Sequence, residues 1–341
     1  MAYTTIDNPT LYFEASTYTG GATDVSSLSF QPDWVWAKKR DGSENHGLFD
    51  SVRGATQSMN SNTTAAESAR SGSLTSFDSD GWTMGGSDGI ISASGSTYVG
   101  WAWRAGGTAS SNSDGSITSS VSANTTAGFS ICAWNGNSGT VGHGLGVKPA
   151  LIIIKSRQTA NNWVVLHHDL TGGMDTNALI LNAQDAEQGG GAGMAEPTSS
   201  VFTITAGLAA NDNNIGYLFA EKKGYSKFGK YTGNGSTDGT FIYTGFKPAF
   251  IIMKSSSHAV NWKVHDNKRD SINNGSGASL SPNENSAEDD NTAYDIDLLS
   301  NGFKQKNNNA NMNSNTYVYT YWAFAEAPFV TAGTKAAGTA R

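Results

Sequence analysis

The sequence predicts an all-β protein that consists of three related antiparallel β-sandwich units, jelly-roll or lectin-like in kind. Three observations support this prediction. One segment recurs three times in the same register, short apolar runs alternate with Asp-Gly and Asn-Gly turn pairs, and no long amphipathic helix is evident. Short strands at close spacing with Gly-rich turns are typical of antiparallel sandwiches.

The composition agrees with this prediction and excludes several functional classes. The chain has 341 residues, 40 of them Gly, and only 15% of its residues are charged, against roughly a quarter in ordinary globular chains. With 22 basic and 29 acidic side chains the net charge is −7, which argues against a phosphate-binding nucleic-acid partner. The single cysteine, Cys132, cannot form an intrachain disulfide. Neither a signal peptide nor a membrane-spanning segment is expected.

The recurring segment starts just before a proline and runs into a strand. Its copies are 30–38, 147–155 and 246–254, and each has a Lys six residues after its Pro. An Asn follows at thirteen residues after each Pro, as Asn45, Asn162 and Asn261. In the first copy Trp34 and Trp36 alternate with smaller residues, which predicts a half-buried strand, whereas the run 151–154 predicts a strand that is buried on both faces.

Aromatic stretches before and after each copy extend the repeat to roughly 100 residues, which is the size of a domain. The predicted organisation is a first unit at 1–106, a Gly/Ser/Asn-rich linker at 107–127, a second unit at 128–223, a third unit at 224–328 and a small-residue tail at 329–341.

The first unit also resembles a known type of protein. The stretches that carry the resemblance are Pro-Asp-Trp-Val-Trp-Ala-Lys-Lys-Arg (32–40), Gly-Leu-Phe-Asp-Ser-Val-Arg-Gly (47–54), Ser-Phe-Asp-Ser-Asp-Gly-Trp (76–82) and Ser-Gly-Ser-Thr-Tyr-Val-Gly-Trp-Ala-Trp (94–103). This unit resembles a repeat domain of virion structural and tail-fibre-like proteins of marine bacteriophages. The resemblance extends over nearly the whole chain and is most specific at 30–105. The resemblance implies a protein that is made in the host cytoplasm and incorporated in the virion, and it supplies no catalytic residues.

The predicted function is therefore that of a non-enzymatic virion structural protein, a tail fibre or tail appendage. Its expected partners are other copies of itself, with a homotrimer as the first choice, other virion proteins and a host surface glycan. No cofactor, nucleic acid or membrane insertion is expected. Two alternatives remain open: a capsid-decorating or capsid fibre protein, and a carbohydrate-binding or glycan-cleaving module.

The individual polar candidates have ordinary structural interpretations. Lys38, Lys155 and Lys254 are expected to cover apolar surface with their stems while their ammonium groups stay in water. The Asn residues that follow them are expected to form turns or cap backbone groups. The adjacent His167 and His168 should point to opposite faces of a strand, where they could not share a metal ion. His143 is expected in a loop without an evident partner.

The remaining candidates concern ligands. Asp78 and Asp80 precede Gly81 in a pattern that predicts a β-turn rather than a calcium loop, since the fifth position is Trp82. The acidic run 288–290 predicts a solvated loop, with weak binding of a divalent ion, together with Asp295 and Asp297, as the alternative. No phosphate loop and no His-Glu-x-x-His zinc motif occurs. Most tryptophans are expected in cores, and Trp82 is the one predicted to be exposed and to stack on a glycan.

Overall fold

The computed structural model describes residues 4–189, 195–269, 273 and 277–330. These residues form 26 β-strands and two short 3-10 helices, at Pro9–Leu11 and Thr292–Tyr294, and they contain no α-helix. Every ladder between the strands is antiparallel. The predicted all-β antiparallel fold is confirmed. The predicted tail at 329–341 lies outside the described residues beyond position 330.

The first group of strands builds one sheet of four strands, one of three and one of two. Its strands are β1 (Phe13–Thr19), β2 (Asp24–Val25), β3 (Trp34–Lys39), β4 (Gly47–Asp50), β5 (Gln57–Ser58), β6 (Ser68–Ala69), β7 (Leu74–Asp78), β8 (Gly81–Met84) and β9 (Thr97–Trp103). The sheets have the strand orders β1-β9-β3-β4, β2-β8-β7 and β5-β6.

The second group builds a sheet of eight strands and a sheet of two. Its strands are β10 (Ser110–Asn112), β11 (Ser119–Asn124), β12 (Phe129–Asn135), β13 (Gly139–Gly142), β14 (Leu151–Ser156), β15 (Val164–His167), β16 (Asn177–Ile180), β17 (Gln188–Gly189), β18 (Val201–Ile204) and β19 (Asn213–Phe219). The sheets have the strand orders β10-β11-β12-β19-β14-β15-β16-β17 and β13-β18.

The third group builds a sheet of four strands and a sheet of three. Its strands are β20 (Ser226–Thr232), β21 (Phe241–Tyr243), β22 (Phe246–Ser255), β23 (Lys263–Asp266), β24 (Ile296–Leu299), β25 (Gly302–Gln305) and β26 (Val318–Pro328). The sheets have the strand orders β20-β26-β22-β23 and β21-β25-β24.

The same strand order recurs in the large sheet of each group. The last strand of each group lies between a strand that precedes the repeated segment, namely β1, β12 or β20, and the strand of that segment, as β1-β9-β3-β4, β12-β19-β14-β15 and β20-β26-β22-β23. The register recurs as well, because Trp36 lies opposite Trp101, Ile153 opposite Tyr217 and Ile252 opposite Trp322. The sequence repeat thus corresponds to a repeated sheet.

Both faces of these large sheets are buried, because alternate residues enter different cores. In β3, Trp34 and Trp36 enter one core, while Val35 and Ala37 enter another. The first of these cores contains side chains from all three groups and is called the shared core below; each group also has a core of its own. The predicted half-buried strand at Trp34 is therefore wrong, whereas the prediction that 151–154 is buried on both faces is confirmed.

Aromatic rings from different groups meet in the shared core. Trp34 stacks on Tyr217 with ring centroids 4.4 Å apart, Phe13 stacks on Phe324 at 5.3 Å, and Phe219 meets Phe324 edge-on at 5.4 Å. Such pairs contribute roughly 0.5–1.5 kcal/mol each beyond the area that they bury. Since these contacts join the first group to the second, the third to the first and the second to the third, the three sheets close around one core.

The predicted linker at 107–127 contains two strands. β10 and β11 pair with each other, and β11 pairs with β12 along six residues, so this segment extends the second group's large sheet. Its Ser-rich composition resembles that of a flexible linker, but Ser is acceptable in a strand whose other face is solvated. In β11, Ser119, Val121 and Ser122 are buried, which ties the segment to the second group.

Candidate functional site

The junctions between the three groups carry a regular set of polar contacts. At the junction of the first and second groups, the indole N–H of Trp163 donates to the carbonyl of Asn60 at 2.8 Å. At the junction of the second and third groups, the indole of Trp262 donates to the carbonyl of Ile180 at 3.0 Å. These are called the 1–2 and 2–3 junctions. Each tryptophan stands fourteen residues after the Pro of its repeated segment.

The third junction, 3–1, uses a histidine at the same place. His46 also stands fourteen residues after its Pro, and its Nε2 lies 3.0 Å from the carbonyl of Ser281. Its Nδ1 accepts a hydrogen bond from the indole of Trp36 at 2.9 Å, so Nε2 carries the proton and is the donor. At all three junctions, therefore, the N–H of a buried indole or imidazole donates to a carbonyl of the preceding group, where the third group counts as preceding the first.

A second recurring contact is a pair of asparagines behind each of these rings. Asn45, Asn162 and Asn261 each accept a side-chain hydrogen bond, at 2.7–2.9 Å, from a second Asn further along the chain: Asn62, Asn182 and Asn283. The second Asn then accepts the backbone N–H of the ring-bearing residue. The capping role predicted for the first Asn thus belongs to its partner.

The second Asn of each pair belongs to a motif that the sequence analysis missed. The sequence Asn-x-x-x-Ala-Glu occurs at 62–67, 182–187 and 283–288. The backbone N–H of its Glu donates to the next group, from Glu67 to Arg157, from Glu187 to Ser256 and from Glu288 to Arg40, at 2.7–2.9 Å. The three acceptors each stand eight residues after a repeated Pro. The motif was detectable from its spacing, although the residues around it differ among the copies.

Buried ion pairs reinforce the 1–2 junction. Arg157 reaches across it and forms a two-pronged contact with Glu67, at 2.8 and 3.0 Å. Arg53 also contacts Glu67, at 3.1 Å, and pairs with Asp50 of its own group. Asp50 in turn accepts a hydrogen bond at 2.7 Å from the hydroxyl of Tyr217, which lies across the junction. Arg53 and Asp50 have fully buried side chains. Their charges are therefore satisfied by each other, by this network and by nearby backbone groups such as the Leu48 carbonyl, which accepts from Arg53.

The 3–1 junction has the same network from corresponding residues. Arg40 forms a two-pronged contact with Glu288 at 2.8 and 3.0 Å, and Arg269 contacts Glu288 at 3.1 Å. Asp266 pairs with Arg269 and accepts the indole N–H of Trp101 at 2.9 Å. Burial raises the pKa of Asp266, but the charge of Arg269 together with the hydrogen bonds from Arg269, Trp101 and the Lys268 backbone holds that pKa below its ordinary value. The prediction of a solvated acidic loop at 288–290 is wrong for Glu288, because its carboxylate is occupied by two guanidinium groups.

The 2–3 junction lacks this charged network. The positions that correspond to Asp50, Arg53 and Arg157 hold His167, Leu170 and Ser256. Glu187 remains, but its carboxylate accepts its hydrogen bonds from Thr171 instead of arginine. His167 lies 3.4 Å from the carbonyl of Tyr321, and burial lowers its pKa to about 3, so the ring is neutral.

His167 and His168 are closer together than predicted. β15 ends at His167, so the alternation of the strand does not separate the two rings, which lie 5.1 Å apart. Asp169 joins them, and one ligand atom from each of the three lies within 4.8 Å of the others. His167 uses Nδ1 to accept the Asp169 N–H, and Nε2 of His168 lies 2.9 Å from the Phe228 carbonyl. As arranged, the cluster offers a metal ion the Nδ1 of His168 and the carboxylate of Asp169.

The three repeated lysines do not keep their ammonium groups in water. Lys38, Lys155 and Lys254 are fully buried, because both faces of their sheets are covered. Each ammonium donates to the carbonyl of the next residue in the chain, at 2.6–3.0 Å. Burial lowers the pKa to about 8 for Lys38 and Lys155 and to about 7 for Lys254. The predicted wet position of the lysine heads is wrong.

Trp82 is buried instead of exposed. It lies in β8, the middle strand of the sheet β2-β8-β7, and its side chain packs in the first group's own core against the ring of Tyr18. A Cβ at Gly100 would lie 2.7 Å from the Trp82 ring, so the indole covers the sheet at a glycine. Trp82 therefore cannot stack on a surface glycan. The other tryptophans predicted in cores, namely Trp101, Trp103, Trp134, Trp163 and Trp262, are buried, as expected.

Two smaller predictions also have outcomes. His143 has partners after all: it is buried, its Nδ1 accepts the N–H of Leu145 at 3.2 Å, and its Nε2 lies 3.3 Å from the carbonyl of Thr198. The β-turn after Asp78 is confirmed, because Asp78 and Gly81 are paired at the end of the β7-β8 hairpin.

The chain belongs to a family described only as a domain of unknown function, DUF7483, whose model matches residues 8–328. That match includes all three groups of strands. No curated protein and no solved structure matches the chain. No helix within the described residues combines the length and the apolar character that a membrane span requires.

Proposed function

We propose that this protein is a virion structural protein of a bacteriophage, a tail fibre or tail appendage, that consists of three related jelly-roll or lectin-like β-sandwich units. The observation that carries the proposal is the closure of three large sheets around one aromatic core. A chain of this kind is a rigid block held by packing and buried polar contacts, which suits a particle component. The resemblance of the first unit to repeat domains of phage virion proteins supports the same role.

The proposed protein has no enzymatic activity and acts through its partners. Its partners are other copies of itself, other virion proteins and a host surface glycan, and it is located in the virion after synthesis in the host cytoplasm. Because one chain already places three groups around its own core, self-association would use the outer surfaces, and a trimer of chains would present nine groups.

The direct test is to detect the chain in purified particles by mass spectrometry and to count its copies against the major capsid protein. Tens of copies per particle are expected for a tail protein. Hundreds of copies would favour the capsid-decorating alternative. A chain that is absent from purified particles while it remains a stable monomer in solution would overturn the proposal.

A carbohydrate-binding module is the second candidate, and one observation favours it. A polar pocket of about 370 Å³ in the third group is lined by both hydrogen-bond donors and acceptors. A glycan array combined with a reducing-sugar assay separates binding from cleavage. Binding without release of reducing ends is the expected result for a non-enzymatic protein.

A further inference from the structure

The third group contains a pocket of about 370 Å³ next to its large sheet. The pocket, called the third-group pocket below, is lined among others by Asn261, Lys263, Ser279, Ser281, Glu284 and Tyr294. Asn261 and Lys263 enter it from the start of β23, and the others come from the segment between β23 and β24. The volume lies near the lower end of the range for small-molecule sites, roughly 300–1,000 Å³.

Lys263 places a buried positive charge at this pocket. Its side chain is 4% exposed, and its Nζ lies 3.6 Å from the centre of the Tyr294 ring. No described residue accepts a hydrogen bond from the ammonium group, so its N–H donors are available to solvent or to a ligand in the pocket. Burial lowers its pKa to about 8, against the opposing charges of Glu284 and Asp289, so at neutral pH the group is mostly charged.

Carboxylates supply the opposite character in the same pocket. Glu284 is held by the side-chain amide of Asn261 at 2.8 Å and by the hydroxyl of Ser286 at 3.4 Å, which leaves acceptor capacity on both of its oxygens. Asp289 lines the pocket as well and accepts the backbone N–H of Asn291 at 3.0 Å. The pocket thus carries unused acceptors beside an unused donor.

A fully buried hydroxyl adds an independent indication of a ligand. Ser279 is 0% exposed, lines the pocket, and its Oγ has no hydrogen-bond partner among the described residues. A buried hydroxyl without a partner costs roughly 1–3 kcal/mol. A ligand with a polar atom in the pocket would remove that cost.

We propose that the third-group pocket binds one uncharged, hydroxyl-rich sugar unit of a glycan. The lining combines the positive charge of Lys263 with the negative charges of Glu284, Asp289 and Asp290, so a ligand of either sign would meet a like charge. A sugar hydroxyl both donates and accepts, so a neutral sugar ring can bond to the ammonium and to the carboxylates at once. The proposal rests on the proposed contact with host glycans only for the source of the ligand; the pocket itself is argued from these side chains.

The other two groups lack the side chain that creates this site. Gly47 and Val164 take the place of Lys263, as their pairing with Ala37 and Ile154 shows. In the first group a Cβ at Gly47 would lie 2.5 Å from Ile90, so an apolar side chain covers that position. The sugar site is therefore specific to the third group.

The test is a titration of the purified full chain with methyl glycosides of neutral hexoses and N-acetylhexosamines, followed by ligand-observed NMR. Binding of at least one neutral glycoside is expected, and Lys263→Met and Glu284→Gln should each weaken it by about ten- to a hundredfold, since each removes a charged hydrogen bond. Lys227→Met is the matched control, because the Lys227 side chain is 39% exposed, pairs with Glu221 and lies outside the pocket.

The outcomes separate the proposal from its rivals. Binding that persists in both pocket variants places the sugar elsewhere and overturns the proposal, as does a preference for charged ligands or a failure of every neutral glycoside to bind. Thermal unfolding of each variant shows whether a loss of binding reflects a loss of folding. Since Glu284 is only partly buried, its variant keeps the test valid if Lys263→Met does not fold. Absence of sugar binding would leave the structural role in the virion untouched, and that role is tested by particle composition.

Discussion

The 1–2 and 2–3 junctions hold equivalent sheets together with different chemistry. Both have the indole-to-carbonyl bond and the backbone bond from the Glu of the Asn-x-x-x-Ala-Glu motif. Only the 1–2 junction adds Arg53 and Arg157 around its Glu, while the 2–3 junction has Leu170 and Ser256 in their places. Ring and backbone donors therefore suffice to position the groups, and the buried ion pairs are an addition to a geometry that is formed without them.

A buried ion pair adds little net stability when it is intact, because desolvation offsets the attraction between the charges. Removal of only one partner is costly, however, because the remaining buried charge then has neither a counter-ion nor water to stabilise it. The 1–2 and 3–1 junctions should therefore be sensitive to single substitutions of their charged residues. The 2–3 junction should tolerate substitution at the corresponding positions.

The largest expected effect is that of Arg53→Met. This change leaves the buried carboxylate of Asp50 without its counter-ion, and we expect a loss of about 3–5 kcal/mol in the free energy of unfolding. Leu170→Met is the matched change at the 2–3 junction and should cost less than about 1.5 kcal/mol, because it conserves volume. Urea unfolding, followed by fluorescence, measures both. Equal losses in the two variants would mean that the charged network does not distinguish the junctions.

The next effect concerns the glutamate of the Asn-x-x-x-Ala-Glu motif, which occurs once at each junction. Glu67→Gln keeps the shape but removes the charge between Arg53 and Arg157, and we expect a loss of about 2 kcal/mol. Glu187→Gln should cost less than about 1 kcal/mol, because among the described residues only Thr171, which is exposed, donates hydrogen bonds to its carboxylate. The same unfolding measurement applies. A larger loss of unfolding free energy in Glu187→Gln than in Glu67→Gln would contradict the inference that the glutamate charge matters mainly at the 1–2 junction.

The sequence reveals the repeat but not the closed arrangement of three sheets around one core. The turn pairs and the strand that contains Trp34 and Trp36 follow from local patterns. The strand order within each sheet and the burial of both faces do not, because they depend on which strands pair and which sheet packs opposite. For that reason Lys38 and Trp82 were expected to reach solvent, although sheets and neighbouring strands cover them. A lysine at the end of an apolar run gives no local indication that its ammonium will bond to carbonyls.

The junction contacts were missed for a related reason. Arg53 and Glu67 look like ordinary surface charges in the sequence, since Arg157, which reaches Glu67 across the junction, lies 90 residues further along the chain, and Arg53 meets Glu67 only through the fold. The Asn-x-x-x-Ala-Glu motif could have been found, because three occurrences at similar places are visible in the sequence. Its role at the junctions could not have been predicted, because the donor is the backbone N–H of the Glu, and every residue except proline has such a group.

A pH titration distinguishes the 2–3 junction by its histidine. Burial lowers the pKa of His167 to about 3, below the value near 6.5 of an unfolded chain. The unfolded state therefore binds a proton that the folded state does not, and stability falls as the pH drops below about 6.5, at up to about 1.4 kcal/mol per pH unit. Asp266 at the 3–1 junction has a lowered pKa, so its contribution is lost only below the unfolded Asp value near 3.9.

In His167→Gln the free energy of unfolding should consequently depend less steeply on pH between about pH 6 and 4. The reduction is the slope that the uptake of one proton produces. The buried His46 and His265, whose pKa values are also lowered, contribute equally to both proteins and cancel in the difference. Urea unfolding at intervals of pH provides the two slopes. Parallel curves for the wild-type protein and the variant would show that His167 is not buried as a neutral ring.

The smallest expected effect separates the hydrogen bond of a junction indole from its packing. Trp163 donates to Asn60 across the 1–2 junction, whereas the Nε1 of Trp322, which is as deeply buried, has no partner within the described residues. Trp163→Phe and Trp322→Phe remove similar apolar area, but only the first removes a hydrogen bond, and it leaves the Asn60 carbonyl with just the longer bond from the Thr63 N–H at 3.4 Å. Trp163→Phe should therefore cost about 1 kcal/mol more than Trp322→Phe, and a difference of zero or of opposite sign would show that packing alone joins the groups.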